Sequence, residues 1–309
     1  MIFDILFIIL GVAMVLYGAD RLTEGASALA RRMNVPEIII GLTIVAAGTS
    51  APELFVSLVS VLKGTPDMAV GNVVGSNTMN CMLIVGCAAM VAPMTISRST
   101  VKKDIPFSVG ASVLLMLIAL DSFLGHIDGI VLLAGFAAFM AYTLRQAKKG
   151  QTEPVSEGKP QRPMVSALYL IGGLAMLIVG SNLFVDAASN VAYSLGVSEG
   201  VVGLTIVAGG TSLPELATSV VAARKGQSAI AIGNVIGSNV FNILLILGLS
   251  ATIYPMQIEG ITTIDMAVML VSVTLVWLFS YTRFTVERWE GALLVGGYLG
   301  YLAWLITSL

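Results

Sequence analysis

Charged residues are scarce in this chain, and histidine and cysteine are scarcer still. Asp, Glu, Lys and Arg make up 11% of its 309 residues, whereas about 25% of a soluble domain is charged. The only histidine is His126, and the two cysteines, Cys81 and Cys87, lie in one apolar stretch. These shortages exclude an ordinary soluble domain, and they argue against a disulfide framework or a zinc or copper site of thiolates and imidazoles.

Long apolar stretches fill most of the chain, of which 57% is hydrophobic. A helix needs about 20 residues to cross the hydrocarbon core of a bilayer, and the short alternating segments of a membrane barrel do not fit these runs. Residues 1–4 lack the basic segment of a signal peptide, so we expect the first stretch to remain as a helix. We predict an all-α membrane protein with ten transmembrane helices at residues 2–19, 38–62, 69–91, 105–120, 129–144, 164–184, 201–223, 228–250, 264–282 and 290–308.

Two segments of the chain are near copies of each other. Residues 41–86 and 203–248 align without a gap at an offset of 162 and agree at 27 of 46 positions. Five predicted spans separate equivalent positions, and an odd number of crossings inverts a copy. We therefore predict two inverted five-helix repeats, residues 1–144 and 164–309, joined by a polar linker at 145–163.

Basic residues indicate the orientation of these spans. Fifteen of the 16 lie in the odd-numbered connections, and only Lys63 falls on the other side. By the positive-inside rule, the odd connections and the linker are predicted to be cytoplasmic, with both termini outside.

Each repeat carries one polar motif inside an apolar run, GTSAPE in the first and GTSLPE in the second. Pro52 and Pro214 have no N–H to give the helix, while Gly48 and Gly210 tolerate unusual backbone angles, so we predict a helix break at each motif. Carbonyl groups freed at membrane depth must meet protein, water or a cation. We expect such free carbonyls near Gly48 and its counterpart.

Oxygen-bearing side chains surround both predicted breaks. The motifs supply two acids and four hydroxyl groups, and the next helices add GNVVGSNTMN and GNVIGSNVFN, in which a serine and an asparagine four residues apart share one helix face. These are hard oxygen ligands of the kind that Ca²⁺ and Na⁺ accept. Two glutamates would balance one Ca²⁺, and several Na⁺ or a proton could replace it. The predicted ligands are Glu53, Glu215, Asn80, Asn242, Thr49, Ser50, Thr211, Ser212, Ser76 and Ser238.

Both motif pairs resemble those of the cation/calcium exchanger superfamily, in particular the sodium/calcium exchangers and their prokaryotic relatives, and the resemblance spans essentially the full length. It implies a calcium site at the two glutamates, flanked by Asn80 and Asn242, and sodium sites at the six hydroxyl residues. It adds carbonyl ligands from Ala46 and Ala208. It also implies a location in a prokaryotic inner membrane. Some relatives, including potassium-dependent exchangers, have an aspartate where this chain has Asn242, which argues against potassium co-transport.

Each candidate residue also has a structural interpretation. The glutamates could lock two helices together, the amides could form interhelical hydrogen bonds, and the hydroxyls could bond to their own helix. For Asp20 and Asp186, helix capping or ion pairing is favoured over cation binding. A supporting role is favoured for the remaining polar residues of the repeats: Asn72, Asn234, Ser57 and Ser219.

The favoured function is a secondary active antiporter that exports Ca²⁺ against inward Na⁺ flow by alternating access. Exchange of Ca²⁺ for H⁺ on the same fold is the alternative, and a passive cation channel is less favoured. An intramembrane hydrolase would need an activated nucleophile or a metal-bound water, and neither is evident. We expect membrane lipid and inorganic cations as partners, with no nucleic acid and no cofactor.

Overall fold

The computed structural model describes residues 2–148, 163–196, 206 and 208–308, so most of the predicted linker lies outside it. Helices account for nearly all of its regular structure. In chain order they are α1 (Ile2–Met33), α2 (Glu37–Thr49), α3 (Ala51–Leu62), α4 (Pro66–Val91), α5 (100–118), α6 (His126–Lys148), α7 (Pro163–Ser194), α8 (Ala208–Thr211), α9 (Leu213–Arg224), α10 (Ser228–Ile253), α11 (Thr263–Arg283) and α12 (Arg288–Ser308).

Seven of these helices are long and apolar enough to cross a membrane, and the bent pair α2 and α3 makes an eighth if it is one span. A helical membrane protein is therefore confirmed. The other two predicted spans coincide with α5 and α9, although much of 201–207 lies outside the described residues. The count of ten and the inverted arrangement remain predictions.

The helices α4 and α10 form the centre of the molecule. In the apolar 18-residue segments of α4 and α10, 78% and 94% of the residues are buried inside the protein, compared with 22% in those of α1 and α7. The motifs GNVVGSNTMN and GNVIGSNVFN lie on these two helices. The polar side chains of the motifs are therefore held in the interior rather than in lipid.

The first helix of each half is longer than predicted. Both α1 and α7 contain 32 residues, about 48 Å of helix. The predicted end of α1 at residue 19 is wrong, because the helix continues through the polar segment that follows. The expected ion pairing of Asp20 is confirmed within this extension, where its carboxylate contacts Arg21 at 2.8 Å and Lys225 at 2.6 Å.

Close backbone contact joins α1 to α7. A Cβ built on Gly18 would lie 2.7 Å from the carbonyl oxygen of Gly173, and one on Gly11 would lie 2.8 Å from that of Gly180. Only glycine permits this separation, as in other tightly packed membrane helices. The pair therefore packs as one unit along the side of the buried centre.

The described residues contain four two-residue strands, which the sequence analysis did not predict and which join the two predicted halves. They are β1 (Met94–Thr95), β2 (Phe123–Leu124), β3 (Met256–Gln257) and β4 (Thr285–Val286). Strand β1 pairs with β4 and β2 with β3, both antiparallel. At the offset of 162, β3 is the counterpart of β1 and β4 that of β2, so the two pairings are equivalent.

Candidate cation site

Both predicted helix breaks are present, and each is one serine long. Ser50 separates α2 from α3, which are bent by 46° relative to each other, and Ser212 separates α8 from α9. The proline is the second residue of the following helix, a position whose N–H has no partner within a helix. The break therefore places Glu53 and Glu215 in the first turns of α3 and α9, where the helix dipole favours a carboxylate.

The expected free carbonyl at the first break is wrong. Backbone N–H groups at the end of α2 donate to the carbonyls of Ala46 and Gly48, since the chain tightens where Pro52 offers no donor. At the second break, the hydroxyl of Ser181 donates to the carbonyl of Gly210. A cation at these carbonyls would have to use the second lone pair of each oxygen.

Two reciprocal hydrogen bonds bring the glutamates together across the breaks. Ser50 Oγ donates to Glu215 Oε1, and Ser212 Oγ donates to Glu53 Oε1, each at 3.2 Å. The serine of each repeat is therefore bonded to the glutamate of the other repeat. The two carboxylates, each 1% exposed, consequently belong to one buried cluster.

Asn72 and Asn234 attach the glutamate helices to the central pair. Asn72 Nδ2 donates to the carbonyl of Glu53 at 3.2 Å and to Ser57 Oγ at 3.0 Å. The second repeat forms the same two bonds: Asn234 to the carbonyl of Glu215 at 3.3 Å and to Ser219 Oγ at 3.1 Å. These four residues therefore support the site, as the sequence indicated.

Five buried oxygen atoms of this cluster have no hydrogen-bond partner among the described residues. They are Glu53 Oε2, Glu215 Oε2, Asn80 Oδ1, Asn242 Oδ1 and Ser238 Oγ. A buried polar atom without a partner is costly and rare in native proteins. Four of the five belong to the predicted calcium ligands, and each of those four side chains uses its other polar atom in a hydrogen bond.

Other predicted ligands with hydroxyl groups also form hydrogen bonds beside this cluster. Thr49 Oγ1 donates within 3.2 Å to the carbonyl of Val45 or to Asn234 Oδ1, and Ser212 Oγ lies 3.4 Å from Ser76 Oγ. Thr211 is the last residue of α8, and Ala208 is the first. Of the two bonds of Thr49, only the bond to Val45 is the bond to its own helix that the structural interpretation proposes, since Asn234 lies on α10.

The donor set is that of a hard cation. It combines two carboxylates with amide and hydroxyl oxygens, the mixture that Ca²⁺ and Na⁺ accept. In the part of the chain that the structure describes, no three His, Cys, Asp or Glu side chains are grouped to hold a metal. The cluster can balance a divalent charge with its two acids alone.

Sequence reasoning missed Asn77 and Asn239. Asn242 Nδ2 donates to Asn77 Oδ1, and Asn80 Nδ2 donates to Asn239 Oδ1, each at 3.0 Å. Both are identical between the repeats and are polar residues in an apolar helix, which was a usable signal. The π-helical turns that carry Asn80 and Asn242, Asn80–Ile84 and Phe241–Leu247, left no comparable trace in the sequence.

The chain is similar in sequence to a known protein family over most of its length. The sequence model of the family "Sodium/calcium exchanger protein" matches residues 3–145 and again 165–307. The chain belongs to this family. The predicted resemblance is confirmed, and the protein is an integral membrane antiporter for cations that include Ca²⁺, not an enzyme.

Relatives of this exchanger cover almost its entire length. The putative antiporter CaxA of Alkalimonas amylolytica is 37% identical over 98% of each chain. The inner membrane protein YrbG of Escherichia coli is 38% identical over 96% of this chain and 95% of its own, and the sodium/calcium exchanger MaX1 of Methanosarcina acetivorans is 31% identical over 97% of each. A solved structure of the sodium-calcium exchanger NCX_Mj superposes with a TM-score of 0.86 at 32% identity, covering 97% of each chain.

Proposed function

We propose that this exchanger moves Ca²⁺ in one direction in return for Na⁺ in the other, at the site between Glu53, Glu215, Asn80 and Asn242. The observation that carries the proposal is a set of buried oxygens, one on each of these residues, that have no hydrogen-bond partner in the part of the chain that the structure describes. A cation bound among them would give every one of these oxygens a partner. The two carboxylates would make a site loaded with Ca²⁺ nearly neutral.

The hydroxyl groups around the carboxylates are the proposed Na⁺ ligands. They belong to Thr49, Ser50, Ser76, Thr211, Ser212 and Ser238, with the carbonyls of Ala46 and Ala208 as further ligands. A hydroxyl that donates to a glutamate keeps lone pairs for an ion. Ser50 and Ser212 can therefore bind Na⁺ without losing the glutamate of the other repeat.

Ten spans in two inverted halves are supported by the reciprocity of the contacts. The serine–glutamate hydrogen bonds, the hydrogen bonds between asparagine side chains and the strand pairs each occur twice, and the residues of the two copies are related by the offset of 162. Contacts of this kind arise when two similar units face each other about a two-fold axis. An axis in the membrane plane gives both sides equivalent access to one site, which is the basis of alternating access.

The proposed orientation is supported by the contacts between connections. Lys225 meets Asp20, and β1 meets β4, so odd-numbered connections meet each other. On the other face, β2 meets β3, and the N–H of Glu259 donates to Asp67 at 3.0 Å, so even-numbered ones also meet. We propose a prokaryotic inner-membrane protein whose basic connections and linker are cytoplasmic and whose termini are outside.

Exchange rather than leakage follows from the cost of the empty site. Without a cation, two carboxylates would have to be carried through a low-dielectric interior, which is strongly unfavourable. The four proposed calcium ligands are each 1% exposed, so the surrounding protein encloses them in this conformation. This enclosure favours an exchanger over an open pore.

Exchange of Ca²⁺ for H⁺ is the second candidate, and one observation favours it. Each glutamate has an oxygen without a hydrogen-bond partner within the described ranges, and a proton there would neutralise the acid. The choice of counter-ion can be tested in liposomes that contain the purified protein and accumulate radioactive Ca²⁺. We expect uptake with a Na⁺ gradient directed outward and background uptake with K⁺ or H⁺ gradients. Uptake driven by a pH gradient without Na⁺ would replace the Na⁺ proposal with the H⁺ one.

A further inference from the structure

Four asparagines meet where α4 crosses α10, and they form two equivalent pairs. Asn242 donates to Asn77, and Asn80 donates to Asn239, in each case from Nδ2 to Oδ1. All four are at most 2% exposed. Each bond uses the nitrogen of a proposed calcium ligand and leaves its oxygen for the cation.

A backbone carbonyl fixes the direction of the first pair. Asn77 Nδ2 donates to the carbonyl oxygen of Asn239 at 3.3 Å. A carbonyl oxygen can only accept, so the nitrogen of Asn77 must face it and its oxygen must face Asn242. Asn242 then has to present its own nitrogen to Asn77. Its oxygen is turned to the other side, where it has no partner among the described residues.

A thiol occupies the corresponding place in the second pair. Asn239 Nδ2 donates to Cys81 Sγ at 2.9 Å, and Asn239 Oδ1 accepts from Asn80. The amide oxygen of Asn80 is again the atom left without a partner in the described part of the chain. Sulfur is a weaker acceptor than a carbonyl oxygen, so the direction of this pair is less firmly fixed.

We propose that Asn77 and Asn239 are positioning residues, which hold the amide oxygens of Asn242 and Asn80 toward the cation site. This inference rests on the proposed function. An amide turned by half a rotation would present hydrogens to the cation, which an NH₂ group cannot ligate. Because the two amides are held before the ion arrives, binding does not have to supply the free energy of orienting them.

A double-mutant cycle on Ca²⁺ binding tests this inference in the full-length protein. Calorimetry in Na⁺-free buffer would compare the wild type with Asn77→Leu, Asn242→Ala and the double variant. Asn77→Leu loses one orienting hydrogen bond, so its Kd for Ca²⁺ should be roughly five- to tenfold higher than that of the wild type. In the Asn242→Ala background, the same change should alter the Kd by less than about twofold, because Asn77 acts through Asn242.

Two further variants separate positioning from general packing. Asn77→Asp keeps an oxygen for Asn242 Nδ2 but loses the N–H that donates to the carbonyl of Asn239, so it should bind Ca²⁺ more tightly than Asn77→Leu does. Met269→Leu removes only the sulfur contact of Asn77 at 3.9 Å and conserves volume, and it should bind as the wild type does. Binding by Asn77→Asp that is no tighter than binding by Asn77→Leu, or a loss in Met269→Leu equal to that in Asn77→Leu, would overturn the inference.

The second pair offers an independent cycle if Asn77→Leu fails to fold. Asn239→Leu should weaken binding in the wild type and have less than about a twofold effect beside Asn80→Ala. Additive losses in either cycle would show that these residues only pack, and would overturn the inference while leaving Na⁺/Ca²⁺ exchange intact. A wild type that binds no Ca²⁺ in any buffer would instead refute the proposed function.

Discussion

Replacing one glutamate of the site by glutamine should remove Ca²⁺ binding almost entirely. Glu53→Gln keeps the shape of the side chain and an oxygen that can accept from Ser212, but it removes one of the two negative charges. A unit charge pair 4 Å apart is worth about 4 kcal/mol at an effective dielectric constant of 20, and the double charge of Ca²⁺ makes this about 8 kcal/mol. If half is offset because a neutral amide is cheaper to bury, about 4 kcal/mol remains, which is about a thousandfold in Kd.

Glu215→Gln should reduce Ca²⁺ affinity by a similar factor, because Glu215 accepts from Ser50 as Glu53 accepts from Ser212. Glu259→Gln is the matched control, since it removes an acid that is exposed and lies outside the site. Uptake of radioactive Ca²⁺ into Na⁺-loaded liposomes would measure transport by each variant, and calorimetry would measure its Kd for Ca²⁺. Either glutamine variant binding Ca²⁺ within tenfold of the wild type would refute the assignment of the carboxylates as ligands.

Three other expectations address the sodium ligands, the packing and the orientation. Ser50→Ala removes a hydroxyl ligand and should raise the Na⁺ concentration for half-maximal exchange several-fold, more than it raises that for Ca²⁺. Gly18→Ala places a Cβ 2.7 Å from a carbonyl of α7 and should lower the thermal midpoint, whereas Gly172→Ala, with open space around its Cβ, should not; equal midpoints would contradict the close packing. In a background without the native cysteines, Glu259→Cys should react with an impermeant thiol reagent in intact cells, and Lys148→Cys only after permeabilisation.

Hydropathy predicted the class of fold, and one duplicated motif predicted the position of both helix breaks and the two acids that lie in one buried cluster. Each of these depends on local composition: a run long enough to span, a proline after a glycine, an acid in an apolar segment. The break at Ser50 was predictable because Pro52 lacks a backbone N–H whatever its tertiary neighbours are. Such features do not require knowledge of the tertiary neighbours.

The features that escaped prediction depend on contacts distant in sequence. The helix α1 continues past its apolar part because its extension packs on α7 and its Asp20 finds Lys225, 205 residues away. Asn77 gains its role from Asn242 on another helix. The carbonyls expected to be free at the first break have partners for the opposite reason, because nearby N–H groups of the same chain segment donate to them. At the second break, the carbonyl of Gly210 accepts from Ser181, which lies on α7. A sequence shows which groups need a partner, but not which partner will be nearest.

Asparagine at both 80 and 242 makes the two halves of the proposed site chemically alike, so the proposed ligands themselves favour neither of the two proposed access states. A preference must come from a contact without a counterpart. Ser181 supplies one: its hydroxyl bonds to Gly210 at the second break, whereas the equivalent residue in α1 is Ala19, which has no hydroxyl. Ser181→Ala should therefore change the half-saturating Ca²⁺ concentration in opposite directions on the two sides of the membrane, while Ca²⁺ binding in detergent changes little. Equal shifts on both sides would show that this contact does not discriminate between the two access states.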